Sequence, residues 1–421
     1  METAALIVVL VIALALFFDF TNGFHDTANA MATPIATGAL KPKTAVLLAA
    51  VLNLVGAFLS TEVAKTISGG IIREEEISAS IFPSIIFAGL IGAITWNMLT
   101  WLLGLPSSSS HALFGGLIGA TLVGASAAAI DVGVVMSKVV LPALIAPLTA
   151  GIIAFTVTKL AYAMTRRYDN KPDGRDGFRW GQIFTSSLVA LAHGTNDAQK
   201  TMGVITLALI TVGWQTAAQP QLWVIVACAV TIALGTYMGG WRIIRTLGKG
   251  LTDVKPAQGF SAEASTASTI LASSALGFAL STTQVASGSV IGSGLGRRGS
   301  KVRWRTVGRI MVGWLLTLPA AGAVGALAAL VVVWLGQVVG VLVGAVAAIA
   351  IILAIFLRSR RNAVTSANAM SGVAESAGAV KVKRNPPPTR RQRALQRREA
   401  KAAKAAKEAA RTRGDGGEEG R

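Results

Sequence analysis

Cysteine, acidic residues and charge of any kind are scarce in this chain, and each scarcity removes a class of protein. The one cysteine, Cys228, sits in an apolar run, so neither an intramolecular disulfide nor a paired-cysteine metal motif can form. Three histidines without HExxH spacing leave no zinc signature, and no resident metal is expected. Charged residues are only 14% of the 421, against about 25% in soluble domains, while 52% are apolar. That balance excludes an ordinary water-soluble enzyme and sets a membrane class. Acids number 20 against 39 bases, a net +19 that at first suggests a nucleic-acid partner. Of that excess, residues 358–421 supply +11 and the first 357 residues +8, which makes it a matter of tail and loops. No nucleic-acid partner is expected.

Apolar windows long enough to cross about 30 Å of hydrocarbon occur near 5–32, 44–62, 82–103, 134–165, 181–211, 222–241, 264–280, 307–335 and 338–357. The first has no basic leader and no small-residue cleavage site, so it is expected to stay in the mature protein. Segments 107–127 and 284–296 are rich in Gly, Ser and Ala and follow polar runs. Polar backbone at membrane depth must be buried in protein or line a cavity, so they are read as re-entrant arms.

An internal repeat organises the chain. GFHDTANAM at Gly23 to Met31 matches GTNDAQKTM at Gly194 to Met202, offset 171. GLPSSSSHALFGGLIG from Gly104 lines up with GFALSTTQVASGSVIG from Gly277, offset 173. Weaker echoes pair Leu141-Pro142-Ala143 with Leu318-Pro319-Ala320, and Thr66 and Gly70 with Thr246 and Gly250. Two long units in one order indicate a duplicated membrane unit, as in many secondary transporters. The expected fold is an all-α polytopic membrane protein, an inverted-topology repeat with two re-entrant helical hairpins.

Basic clusters at Lys41 and Lys43, Arg166 to Arg179, Arg242 to Lys255 and Arg297 to Arg309 mark cytoplasmic segments. The uncharged 212–221 and the 63–80 loop with Glu74, Glu75 and Glu76 belong outside. One threading satisfies these signs, with the N-terminus outside and the second repeat inverted. The domains are then a first transmembrane repeat (1–165), a basic cytoplasmic loop (166–180), a second, inverted repeat (181–335), an added transmembrane helix (336–357) and a basic disordered cytoplasmic tail (358–421). A cell (inner) membrane location follows. Membrane lipid is the expected surrounding, the tail is a solvated charge run or binds anionic lipid, and Gly-rich faces permit a homodimer.

Asp26, Asp197 and Lys200 lie within apolar windows, where each charge costs about 2.5–3.5 kcal/mol on insertion scales. A local Asp197–Lys200 ion pair serving only packing is one explanation. It cannot cover both repeats, because Asp26 has Asn29 at the matching position. Carboxylates flanked by Asn, Thr and Gly offer oxygen ligands for a hard cation or a proton acceptor. The hydroxyl runs Ser107–Ser110 and Ser281–Thr283 precede helical segments, where free N–H groups and the helix dipole favour an oxyanion. Small-residue packing is the plain reading of either run alone; their matched positions favour the anion site. His111 follows the first run and Gln284 the second, as supporting hydrogen-bond partners. Asp19 and Glu263 are expected to be embedded without an assigned role.

These motifs resemble the PiT family of inorganic phosphate transporters, in particular the bacterial low-affinity type, whose duplicated signature has the form GANDVANA and whose hairpins carry Ser/Thr-rich tips. The likeness covers roughly residues 15–335. It implies phosphate import by cation symport, driven by sodium or protons, and not an enzyme. Carried over by position, Asp26, Asn196 and Asp197 serve the cation or proton, while Asn29, Ser108, Ser109, Ser110, Ser281, Thr282 and Thr283 contact phosphate; Lys200 joins the phosphate contacts on its own charge, outside the family pattern. This sequence departs from the pattern at His25, which replaces an Asn, and at Gln199 and Lys200. A fixed ammonium at Lys200 favours proton over sodium coupling. No cofactor is implied beyond the coupling cation, with magnesium or another divalent metal as a co-transported partner of phosphate. Sulfate is the alternative substrate, and an intramembrane aspartate enzyme the more distant one.

Overall fold

The computed structural model describes residues 2–68, 72–166 and 176–369. The chain begins with α1 (Glu2–Ala36), α2 (Pro42–Gly56) and α3 (Glu62–Ser68). A first hairpin, α4 (Phe82–Leu103) and α5 (Ser109–Gly124), follows. Next, α6 (Val132–Val135) runs through a π-turn at Met136–Val140 into α7 (Leu141–Arg166). The second half begins with α8 (Asp176–Thr211), α9 (Leu222–Met238) and α10 (Trp241–Arg245), the last extended by a π-turn at Thr246–Gly250. Its hairpin is α11 (Pro256–Ala275) with α12 (Thr282–Gly296), followed by α13 (Trp304–Leu335). A last helix, α14 (Gln337–Arg360), closes the described chain. Among the described residues the sole strand-like pairing is an isolated antiparallel bridge, Ile72 to Ile130.

The outer surface is apolar, and the interior combines an apolar core with many buried polar side chains. Leu144, Leu148 and Ile152 on α7, Leu315 and Leu327 on α13, and Val346 and Ile349 on α14 are exposed, an arrangement stable in hydrocarbon and not in water. Helices α1, α4, α6–α7, α13 and α14 are long and apolar enough to cross a membrane, and α9 with α10 forms a further candidate bent by 56°. The chain is thus a multi-pass, all-helical membrane protein. Helix α8 is less uniformly apolar because its inner face buries Gln182, Thr185, His193, Asn196, Asp197 and Lys200. Two sequence windows have different bounds in the structure. The 44–62 window is not one helix: α2 stops at Gly56 and α3 starts at Glu62. The 264–280 window joins the end of α11, the first arm of the second hairpin, to the tip before α12.

Both hairpins turn at a glycine with left-handed backbone, Gly104 (φ 65°) and Gly277 (φ 71°), a conformation that carries little cost only without a Cβ. Each tip rests on a threonine from the other half. Thr246 Oγ1 donates to Gly104 O at 2.7 Å, and a Cβ at Gly277 would lie 3.1 Å from Thr66 Oγ1.

The hairpins are exchanged between halves. Helix α5 lies against α13, where Gly115 meets Leu318 O and Gly119 meets Gly322 O; α12 lies against α7, where Gly288 meets Pro147 O and Gly292 meets Gly151 O. A methyl group at Gly119 or Gly292 would come within 1.9 or 2.0 Å of those carbonyls, so the backbones touch directly. These contacts recur at offsets of 173 and 171. They correct the weak echo of 141–143 with 318–320, since the register in use pairs Gly151 with Gly322 and Pro147 with Leu318. The sequence expectations for the loop around 167–175 and for the tail from 370 onward lie outside the described residues.

Candidate functional site

Asp26 on α1 and Asp197 on α8 come together at the centre of the bundle, at most 1% exposed. Their helices are bound laterally by close backbone contacts at Gly23 with α9 and Gly194 with α2. Both hairpin tips then point hydroxyls at the carboxylates. Ser109 Oγ donates to Asp26 Oδ2 at 3.1 Å, Thr283 Oγ1 to Asp26 Oδ1 at 3.1 Å, and Thr282 Oγ1 to Asp197 Oδ2 at 3.1 Å. Thr282 also lies 3.4 Å from Asp26 Oδ2, so one hydroxyl spans the two acids. Asn29, one turn after Asp26, donates to Thr283 at 3.0 Å and to Thr282 at 3.3 Å.

The remaining hydroxyls divide into two tasks. Ser108 and Ser281 are N-caps, accepting from the N–H of His111 (3.2 Å) and Gln284 (3.3 Å), which satisfies one donor of each first turn. Ser110 ties the tips together by donating to Leu280 O at 3.1 Å. His111 Nδ1 and Gln284 Nε2, matched in the repeat, meet at 3.5 Å. The N-termini of α5 and α12 therefore both converge on the acids, with their dipoles' positive ends toward the centre.

Lys200 is fully buried and pairs with Asp197, the i,i+3 contact that a purely structural reading predicts. The same carboxylate faces Thr282 and His193, so the pair sits inside the convergence. Asn196 turns elsewhere, donating to Ser274 Oγ at 2.9 Å and Phe278 O at 3.3 Å on the second hairpin. Gln199 caps a neighbour, its Oε1 accepting from the N–H of Val63 (2.8 Å) and Ala64 (3.2 Å) at the start of α3.

Sequence reasoning gave the two central histidines no role. His25 Nδ1 is 2.6 Å from Asp26 Oδ1, and its Nε2 is 3.4 Å from both Thr100 and Ser107. His193 Nε2 stands 2.8 Å from Asp197 Oδ2 and 3.9 Å from Asp26 Oδ2, and its Nδ1 meets Asn53 Oδ1 at 3.3 Å. Asp26, His193 and Asp197 each present a ligand atom, all within 4.8 Å of one another, a donor set that could hold a divalent ion. The i,i+4 spacing of His193 and Asp197 was the available signal; the third donor arrives from the other repeat. Asp19 accepts from Thr201 at 3.0 Å. Glu263 accepts from Thr33, Thr185 (2.9 Å) and Gln182 (3.2 Å).

The family model described as the phosphate transporter family matches residues 22–325, both repeats included. A "probable low-affinity inorganic phosphate transporter" of Mycobacterium bovis is 54% identical over 370 residues, 87% of this chain and 88% of that protein. A protein of the same description from Bacillus subtilis is 41% identical over 332 residues, 78% of this chain and 98% of that one. The solved structure titled "the sodium-dependent phosphate transporter" is similar in fold, with a TM-score of 0.69 at 22% identity over 78% of this chain and 99% of that one. The chain belongs to the phosphate transporter family.

Proposed function

We propose that this protein is a secondary transporter that imports inorganic phosphate across the cell membrane with a cation, the proton favoured over sodium. The observation that carries this reading is the convergence of Ser109, Thr282 and Thr283, from two hairpin tips, on the buried Asp26 and Asp197. Hydroxyls and helix N-termini suit a tetrahedral oxyanion, but two carboxylates repel one unless cations accompany it. Coupling follows from that electrostatic requirement. Asp26 and Asp197 take the cation or proton, while Ser109, Ser110, Thr282, Thr283 and Asn29 hold phosphate. The fixed ammonium of Lys200 supplies one positive charge that a sodium ion otherwise brings, which favours protons for the rest.

Phosphate at neutral pH still carries a proton that it can donate to a carboxylate, whereas sulfate has none. Carboxylates at the hydroxyl cluster therefore favour phosphate. The Asp26, His193 and Asp197 cluster supports a second reading, in which phosphate travels as a complex with magnesium or another divalent metal bound by those three side chains. The inverted topology, with the N-terminus outside, is part of the proposal. It lets two equivalent hairpins open the shared site to opposite faces in turn.

The test is uptake by proteoliposomes with labelled phosphate and competing sulfate, varying sodium, pH gradient and magnesium separately. Saturable, sodium-independent accumulation driven by a pH gradient is expected, with sulfate a weak competitor. Strict sodium dependence overturns the proton assignment, and a strict magnesium requirement selects the metal complex. Counterflow that survives Asp26→Asn rejects the site. Hydrolytic turnover lost in the same variant points to the enzyme alternative.

A further inference from the structure

One cavity takes no part in the site above. It is an apolar groove of about 730 Å³ between α1, α4, the α9–α10 break and α14, lined among others by Leu10, Phe17 and Phe24, Trp101, and Ile349 and Phe356. Its α14 wall lies beyond the residues 22–325 shared with the family. From Leu10 to Phe24 the groove follows α1 for roughly 20 Å, and from Ala345 to Phe356 it follows α14 for roughly 16 Å, at about 1.5 Å per residue. Half of a roughly 30 Å hydrocarbon core, one leaflet of acyl chain, is of that length.

One end of the groove is polar and basic. Trp241 lines both the groove and a second cavity of about 410 Å³, whose wall includes Lys43, Thr44, Tyr237 and Ser366. At the same end α14 finishes in Arg358 and Arg360, followed by Arg361, all exposed. Arg242 fixes this corner: its guanidinium donates to Leu102 O (3.2 Å), Ser359 O (2.8 Å) and Asn362 O (2.6 Å). No acidic residue occurs in 37–47, 237–250 or 355–369, so the basic charge is unopposed along the sequence that builds the corner.

We infer that this groove binds one anionic glycerophospholipid, its acyl chain along α1 and α14 and its phosphodiester head between Lys43 and the arginines ending α14. Charge complementarity selects this occupant. The chain's own segment 370–421 carries 14 basic and 6 acidic residues and is repelled by the corner. An apolar helix from a second copy fills the groove but leaves the basic end without a counter-charge. Because Arg242 joins α10, the first hairpin and the end of α14, an occupied groove also holds the hairpin's outer flank in place.

The full-length protein is purified from vesicles of equal phosphatidylcholine and phosphatidylglycerol, and the retained lipid is counted by native mass spectrometry. One phosphatidylglycerol per chain is expected, favoured over phosphatidylcholine by about tenfold or more. Lys43→Gln with Arg360→Gln, both at exposed positions, lowers that preference by about tenfold, equivalent to about 1.4 kcal/mol. Ala348→Trp fills the groove and removes the lipid, whereas Val346→Trp on the exposed face of α14 does not. Equal retention of the two lipids, retention unchanged in the charge variant, or a dimer without bound lipid overturns the inference.

Discussion

Replacing Lys200 by methionine removes the buried ammonium at the centre and leaves the two carboxylates with the imidazoles of His25 and His193 as neighbours. The ligand atoms of Asp26 and Asp197 lie within 4.8 Å; at an effective dielectric of about 20, two unit charges at that distance repel by about 3.5 kcal/mol. A penalty of that size corresponds to about two and a half decades in affinity for a neutralising cation. The variant is therefore expected to take up one more cation for each phosphate than the natural protein does. One further charge crossing the membrane is worth about 2.3 kcal/mol per 100 mV, so the accumulation ratio should gain roughly a fiftyfold dependence per 100 mV. The assay is labelled phosphate uptake into proteoliposomes under imposed potassium-diffusion potentials, read as charge moved per phosphate. Breaking a buried pair also costs about 3–5 kcal/mol of stability, so thermal unfolding of Lys200→Met is compared with the Lys200→Met, Asp197→Asn double variant, which should recover part of the loss. The same charge per phosphate in Lys200→Met and the natural protein would refute the view that Lys200 stands in for a carried cation.

Loss of the hydroxyls that touch Asp26, by Ser109→Ala or Thr283→Ala, should raise the KM for phosphate by about ten- to a hundredfold, as hydrogen bonds to charged groups are worth about 1.5–3 kcal/mol. Ser108→Ala and Ser281→Ala, which remove caps, should instead cost about 1 kcal/mol of stability, seen in unfolding with a smaller change in KM. Gly119→Val and Gly292→Val should each separate a hairpin from its partner helix and lower both uptake and thermal stability, whereas Gly308→Ala, which meets nothing within 4 Å, should do neither. Asp131, outside the membrane-spanning segment, has its carboxyl held below the ordinary carboxylate range by the Val134 N–H and then by Arg73. Its contribution to stability is present at neutral pH and lost as acid titrates the folded carboxylate. The unfolding difference between Asp131→Asn and the natural protein should therefore shrink toward zero on acidification, and a difference that persists in acid would contradict the assignment.

Much of the site could be read from sequence because the repeat marks it twice. Asp26 and Asp197 announced themselves as charges in apolar windows, and the Gly-, Ser- and Ala-rich segments 107–127 and 284–296 after polar runs marked the hairpins. What stayed hidden depends on which helix faces which. Nothing near His193 in sequence shows that Asn53 and Asp26 flank it, since those arrive from α2 and α1. Ser108 and Ser109 are adjacent and chemically identical, yet one caps α5 and the other reaches a carboxylate. Only the backbone angle at the start of the helix separates them. The window at 44–62 misled because apolarity continues through the turn at 57–61, where the chain leaves the helix to bring α3 under Gln199.

The exchange of hairpins has a consequence for synthesis. Gly116 of α5 meets Gly89 on the preceding α4, but Gly115 and Gly119 find their backbone partners at Leu318 and Gly322 on α13, some two hundred residues later in translation. At about 5–20 residues per second, that partner emerges roughly 10–40 s after α5. For that interval the Gly115 and Gly119 side of α5 waits in the bilayer without the helix that covers it. The first half is an order for a part that the second half delivers, so neither half should mature alone, and co-expressed halves should rescue each other.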